Sequence, residues 1–148
     1  MPDISFNISK GKAAYLAGLT LGANDALIIT PIETSGIVSD ATMRDYDDLG
    51  ALLGGASNEQ TTMGRKTAAS VTVTVDDTND WVMIDMADPT WTAAGGNPIS
   101  ALAVCYDPDT TGGTDADQIP IALLACVVTP AGGDITYQVA SGGFYKAA

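Results

Sequence analysis

The chain contains no histidine. This absence removes the side chain whose pKa lies nearest neutral pH, and with it Ser-His and Cys-His nucleophile pairs and the commonest zinc ligand. A phosphate-binding loop, a dinucleotide-binding fingerprint and a Gly-x-Ser-x-Gly elbow are also missing. The sequence therefore favours a protein that is not an enzyme, and we expect no catalytic residue and no organic cofactor.

Basic residues are scarce, and so is charge of either sign. Charged residues make up 16% of the 148 residues, and six bases against eighteen acids give a net charge of −12. Because a surface with so few bases cannot form the basic patch that neutralises phosphates, we expect no binding to nucleic acid or to an anionic membrane. The remaining surface must be rich in Thr, Ser, Gly and Ala, which cost little free energy to desolvate and so favour assembly into a larger structure.

Long apolar runs are missing as well. None approaches the roughly 18 residues that a membrane helix needs, and the first residues lack the apolar stretch of an export signal. The most apolar run, 119–128, has the length of a strand and is interrupted by Pro120. These features predict a soluble protein made in a cytoplasm.

Only two cysteines occur, Cys105 and Cys126, each inside an apolar strand-like run. Free cysteines in such runs usually act as small buried apolar residues, which is the interpretation that we favour. A cross-strand disulfide is the alternative, and it requires neighbouring strands with both side chains on one face.

Strand patterns dominate the second half of the chain. Valine and threonine alternate over 71–75, a polar turn follows, and the apolar run 81–86 completes a predicted hairpin. Residues 101–106 are apolar throughout, as in a strand buried on both faces. Further strands are predicted at 119–129, 135–139 and 144–145, separated by turn signals. The predicted fold is mainly β, an antiparallel β-sandwich or barrel-like domain.

The first half is less regular. Alternation of Ile4, Phe6 and Ile8 predicts a short strand, and 12–17 is compatible with a helical turn or two capped by Ser9. Residues 26–32 predict a strand in which Pro31 indicates a sheet edge or a strand end.

Apolar residues recur at helical spacing over 43–53, with Ser39 or Asp40 able to cap the start, so a short helical segment is expected in this half. Residues 56–68 have no period and are interpreted as a connector. The expected domain organisation is an N-terminal arm or short strand and helix over 1–22, followed by one β-rich domain over 23–148.

The loop 107–117 is the best metal candidate in the sequence. Asp107, Asp109, Asp115 and Asp117 surround Gly112-Gly113, and closely spaced carboxylates on a flexible backbone are what calcium takes. The spacing differs from that of an EF-hand loop. The alternative, which we favour, is an exposed acidic loop without a metal.

Tryptophan offers a second group of candidate residues. Trp81 and Trp91 are expected to be core or interface anchors. The aspartates near them could form the carboxylate pair of a glycosidase, but Asp is favoured in turns, so we interpret them as turn residues. Trp91 lies in a loop-like Asp-Pro-Thr-Trp-Thr segment, which makes it the candidate of the two for reaching a partner. Ile4, Phe6 and Ile8 of the expected arm are the other candidate partner-binding residues.

Several stretches of the chain resemble small virion proteins of tailed bacteriophages that infect actinobacteria. The resemblance is carried by residues 75–96 and 102–115, and it extends to 9–12, 45–53 and 143–146. It implies a structural role, as a capsid decoration or cement protein on the outer surface of the virion, and it carries over no catalytic residue.

What this resemblance implies about partners is equally concrete. The expected partner is the major capsid protein, together with self-association into a homotrimer that bridges and stabilises neighbouring capsid subunits. The alternative is a tail or head-fibre adsorption module that binds carbohydrate on the host surface.

Overall fold

The fold was obtained as a computed structural model and is described for residues 2–19, 24–55 and 58–148. Its centre is an antiparallel five-stranded sheet in the order β1-β8-β7-β2-β3. These strands are β1 (Ile4–Ser5), β2 (Ala26–Glu33), β3 (Lys66–Thr67), β7 (Ile99–Asp107) and β8 (Ile119–Val128). The predicted mainly β, antiparallel, sandwich-like class is confirmed.

Within the described residues, two smaller sheets and three helices surround this centre. The predicted hairpin is β4 (Thr72–Asp76) with β5 (Trp81–Asp85), and β10 (Tyr145–Ala147) joins it in the order β10-β5-β4. A third sheet pairs β6 (Thr90–Trp91) with β9 (Ile135–Thr136). The helices are α1 (Ala13–Gly18), α2 (Asp40–Met43) and α3 (Leu49–Gly55), and short 3-10 turns occur at Asn7–Ser9 and Asp115–Asp117.

The central sheet is covered on both faces, which explains the continuous apolar runs of β7 and β8. Leu102 and Val104 face a core cluster that contains α1 and the hairpin residue Ile84. Ala101 and Ala103 face a second cluster, to which α2 and α3 contribute Met43, Leu49 and Leu52. Helix α2 begins as predicted, because the Ser39 hydroxyl accepts a hydrogen bond from Thr42 N.

The interpretation of Pro31 as a sign of an edge strand or strand end was wrong. Strand β2 lies inside the sheet, and Pro31 pairs with Leu102 of β7. The carbonyl oxygen of Pro31 accepts a hydrogen bond from Gln60 N on the other side of the strand. The N and O atoms of one strand residue point to the same side of the strand. The missing N–H of Pro31 therefore faces the side of β2 on which β3 lies, and β3 pairs only with Ile28 and Ile29, so no ladder hydrogen bond is lost there.

The N-terminal segment is part of the domain. Ile4 and Ser5 pair with Leu123 and Ala122 of β8, and the Phe6 side chain is fully buried. Two alternatives were given for residues 1–22, an arm or a short strand and helix. The described part of this segment forms the strand and helix and packs on the sheet. Residues 1 and 20–22 lie outside the described residues.

Some local predictions were wrong in detail. Ser9 does not cap α1; its hydroxyl donates to the Phe6 and Ile121 carbonyl groups, and Lys12 occupies the N-cap. The predicted strand at 135–139 is reduced to β9, because Tyr137 N and Val139 N bond to Pro89 and Asp88 of a neighbouring loop. The connector 56–68 contains β3.

The two cysteines are free thiols. Cys105 lies in the cluster lined by α2 and α3, whereas Cys126 packs against the cluster on the opposite face of the sheet. A disulfide between them is incompatible with this arrangement. Burial raises the pKa of both thiols, so they act as the small apolar side chains that the sequence predicts.

None of the described helices has the length and apolar character that crossing a bilayer would need.

Candidate functional site

The acidic loop between β7 and β8 forms one wall of a cleft of about 590 Å³. The opposite wall comes from the start of β2 and from the segment that ends in β3. The lining of the cleft contains many ionisable side chains, which include Asp25, Arg65, Asp107, Asp109 and Asp115. The sequence-predicted calcium loop and an arginine from the connector therefore meet at one place in the fold.

Two carboxylates of the loop hold its backbone in place. Asp109 accepts hydrogen bonds from Thr111 N, Thr111 Oγ1 and Gly112 N. Asp117 accepts from the backbone and the hydroxyl of Thr114, in a capping box around the 3-10 turn. These hydrogen bonds stabilise the charged forms and hold the pKa of both carboxyl groups below the usual range.

The other two predicted ligands have different partners. Asp107 is buried, and its Oδ1 accepts a hydrogen bond from Asp109 N at 3.0 Å. Asp115 is bound by Arg65, with Nη1 to Oδ1 at 2.6 Å and Nη2 to Oδ2 at 3.0 Å. Hydrogen bonding to Arg65 is the main reason why the pKa of Asp115 is lowered.

Arg65 is the centre of this arrangement. Its guanidinium also binds Glu59, with Nε and Nη2 donating to the two carboxylate oxygens at 2.8 and 2.6 Å. The paired carboxylates raise the pKa of Arg65, so its charge is permanent. Since Glu59 precedes β3 and Asp115 lies in the acidic loop, Arg65 ties two connections of the central sheet together.

Among the described residues, no three His, Cys, Asp or Glu side chains come close enough to hold a metal ion. The four aspartates share a loop, but internal hydrogen bonds and the ion pair direct their oxygens to protein partners. Calcium binding at Asp107, Asp109, Asp115 and Asp117 stays an untested alternative to the metal-free acidic loop that the sequence favours.

Three of the four residues predicted to bind a partner are buried within the chain. Ile4 and Phe6 lie in the cluster beneath α2 and α3, while Ile8 is half-buried beside them. Trp91 is 2% exposed, and its indole Nε1 donates to the Gly64 carbonyl at 2.8 Å. Trp91 is therefore a core anchor, as expected for the tryptophans, and the candidate role of Ile4, Phe6 and Trp91 as outward-reaching residues is not observed in the chain.

Trp81 is the tryptophan that reaches the surface. It lines a shallow groove of about 330 Å³ at the end of the hairpin, together with Val75, Asp76 and Asp80. The ammonium group of Lys146 lies 4.3 Å from the centroid of the indole ring, a cation–π contact. The groove combines an aromatic ring, an exposed valine and carboxylates.

Sequence reasoning missed Arg65 as a site residue. The available signal was that two of the six bases, Arg65 and Lys66, fall in the supposed connector. Its partners are 6 and 50 residues away along the chain, and no local pattern links them.

Comparison of the chain with protein-family models, with curated proteins and with solved structures gave no match. The resemblance to virion proteins of actinobacterial phages therefore remains an inference from the residues quoted for it.

Proposed function

We propose that the chain is a capsid decoration protein, which binds the outer surface of a phage head and bridges neighbouring subunits of the major capsid protein. It is a structural module rather than an enzyme. Two observations support the proposal. Residues 75–96 and 102–115 resemble virion proteins, and the carboxylates of the acidic loop bond to other groups of the protein.

The observation that carries the proposal is the role of the acidic loop. This loop is the part of the chain richest in groups that could do chemistry, yet Asp109 and Asp117 cap its turns and Asp115 pairs with Arg65. Carboxylates with such bonds stabilise a conformation. A domain whose acids fix its loops suits a role in which rigid shape, rather than turnover, is required.

The surface of the hairpin supports the same function. On the solvent side of the three-stranded sheet, Thr72 and Thr74 are exposed and Met83 is half-buried. These three side chains carry no charge, so covering them costs little desolvation free energy, whereas the charged side chains on the same face, Asp76, Asp85 and Lys146, require partners of opposite charge. The acidic groups lie mainly in loops and turns, where they keep the free protein soluble.

Purified chain mixed with expanded heads that lack it is expected to co-sediment with them and to raise the temperature at which they release DNA. Selective binding stabilises the bound state by mass action, about 2.7 kcal/mol per site at a free concentration of one hundred times Kd. Unexpanded shells are the control and are expected to bind much less. Failure to co-sediment with expanded heads would contradict the proposal.

A second candidate function is supported by the groove at Trp81. The half-buried indole ring, with Lys146 over one side, lies beside Asp76 and Asp80, and carbohydrate-binding surfaces use the same groups, since sugars stack on aromatic rings and donate hydrogen bonds to carboxylates. This candidate corresponds to an adsorption module on a tail or head fibre, and it predicts few copies in each particle.

A further inference from the structure

Strand β4 is the unprotected sheet edge of the described structure. Natural proteins protect edge strands by making them short or by placing Lys or Pro in them. The edges β1 and β3 have two residues each, and β10 carries Lys146. By contrast, β4 has five residues, Thr-Val-Thr-Val-Asp, without Lys, Arg or Pro.

The outward backbone groups of β4 can be identified from the pairing of its neighbours. Ile84 O accepts a hydrogen bond from Phe144 N, so the backbone of Ile84 faces β10. Because N and O directions alternate along a strand, Met83 faces β4 and bonds to its partner Thr74. Val73 and Val75 therefore direct their N–H and C=O groups to the open side, where no described residue outside β5 bonds to the backbone of β4.

A second copy of the same strand can pair with this edge in a regular register and without placing like charges opposite each other. We infer that β4 pairs antiparallel with β4 of a second copy, around a two-fold axis at Thr74. In this register each Val73 lies opposite Val75 of the other copy, and such a pair exchanges both of its N–H···O bonds. The two Thr74 side chains meet at the axis, where threonine pairs stabilise a sheet.

Apolar burial favours the same register. Val75 is 66% exposed in the isolated chain. Since Val73 and Val75 share the face of the hairpin that packs towards α1, Val73 of the second copy covers Val75 on that face. The pairing joins two three-stranded sheets into one continuous sheet and removes the exposed edge.

The charges of the strand are compatible with a second copy despite the net charge of −12, because no two like charges lie directly opposite each other. The charged residue of the strand, Asp76, comes opposite the neutral Thr72 of the other copy. The acidic turns that begin at Asp77 point away from each other and lie about 20 Å apart, at roughly 3.3 Å per residue. That separation exceeds the Debye length of about 8 Å at physiological ionic strength, so their repulsion is screened.

Analytical ultracentrifugation of the free protein over a range of concentrations tests the pairing without any capsid. The wild type is expected to shift to twice its mass of 15.1 kDa, while Val75→Pro, which removes an outward N–H, stays a monomer. Val75→Thr is the matched control, because it keeps the outward N–H and a β-branched side chain at the same position, and it should dimerise far more than Val75→Pro. Circular dichroism confirms that each variant is folded.

Cysteine cross-linking tests the register. In a Cys126→Ser background, Thr74→Cys should form a disulfide-linked dimer on mild oxidation, whereas Thr72→Cys, which faces Asp76, should form at least tenfold less. A monomeric wild type, a trimer, or equal cross-linking at both positions would overturn the inference. If the free chain is monomeric and Val75→Pro loses head binding, the edge belongs to the capsid protein instead, and the decoration role survives.

Discussion

Replacing Trp91 with alanine is expected to lower the free energy of unfolding by about 3–5 kcal/mol. The indole is 2% exposed and packs in the larger core cluster, and its Nε1 donates to the Gly64 carbonyl. Truncation leaves a cavity and removes the hydrogen-bond donor of the partly buried Gly64, and both effects add to the lost apolar burial. Urea unfolding monitored by circular dichroism measures the difference.

Two variants separate these contributions. Trp91→Phe keeps most of the apolar contact and loses the hydrogen bond, so its cost should be about 1–2 kcal/mol. Trp81→Ala is the matched control, because Trp81 lies at the surface and loses a contact with Lys146 of about 0.5–1 kcal/mol. Equal destabilisation by Trp81→Ala and Trp91→Ala would contradict the core role of Trp91.

Replacing Phe6 with alanine should destabilise the domain by a similar amount, about 3–5 kcal/mol. Phe6 is fully buried between β8 and the helices α2 and α3, and its N–H donates to the Ile121 carbonyl. The midpoint of thermal unfolding is expected to fall, and capsid binding should be lost only at temperatures where the variant unfolds.

The half-buried Ile8 provides the comparison for Phe6. Ile8→Ala removes less buried surface and should cost about 1 kcal/mol. Deletion of residues 1–9 should lower the melting temperature even more than Phe6→Ala, because it also removes β1 from the sheet. A truncated chain with unchanged melting would contradict the packing of this segment in the domain and favour the alternative of an N-terminal arm.

The parts of the fold that were predicted correctly are those that local patterns determine. The hairpin of β4 and β5 follows from alternation and a polar turn, and the apolar runs of β7 and β8 indicate strands covered on both faces. The helices α2 and α3 follow from apolar spacing and from Ser39 as a cap. In each case the sequence pattern and the tertiary environment agree.

The errors arise where distant residues decide the outcome. Pro31 is tolerated inside the sheet because its neighbour β3 ends early, and nothing near Pro31 in the sequence reveals this. Trp91 follows a loop signal, but a carbonyl 27 residues away binds it in the core. Arg65 became a site residue only when the fold brought Glu59 and Asp115 to it.

The most direct test of the decoration role is the number of copies of this chain in purified particles, measured by quantitative mass spectrometry against the major capsid protein. A decoration protein should be present at a copy number comparable with that of the capsid protein and should fractionate with heads after the tails are removed. A handful of copies on tails or fibres would favour the carbohydrate-binding alternative at Trp81. Absence from particles would contradict any structural role in the virion.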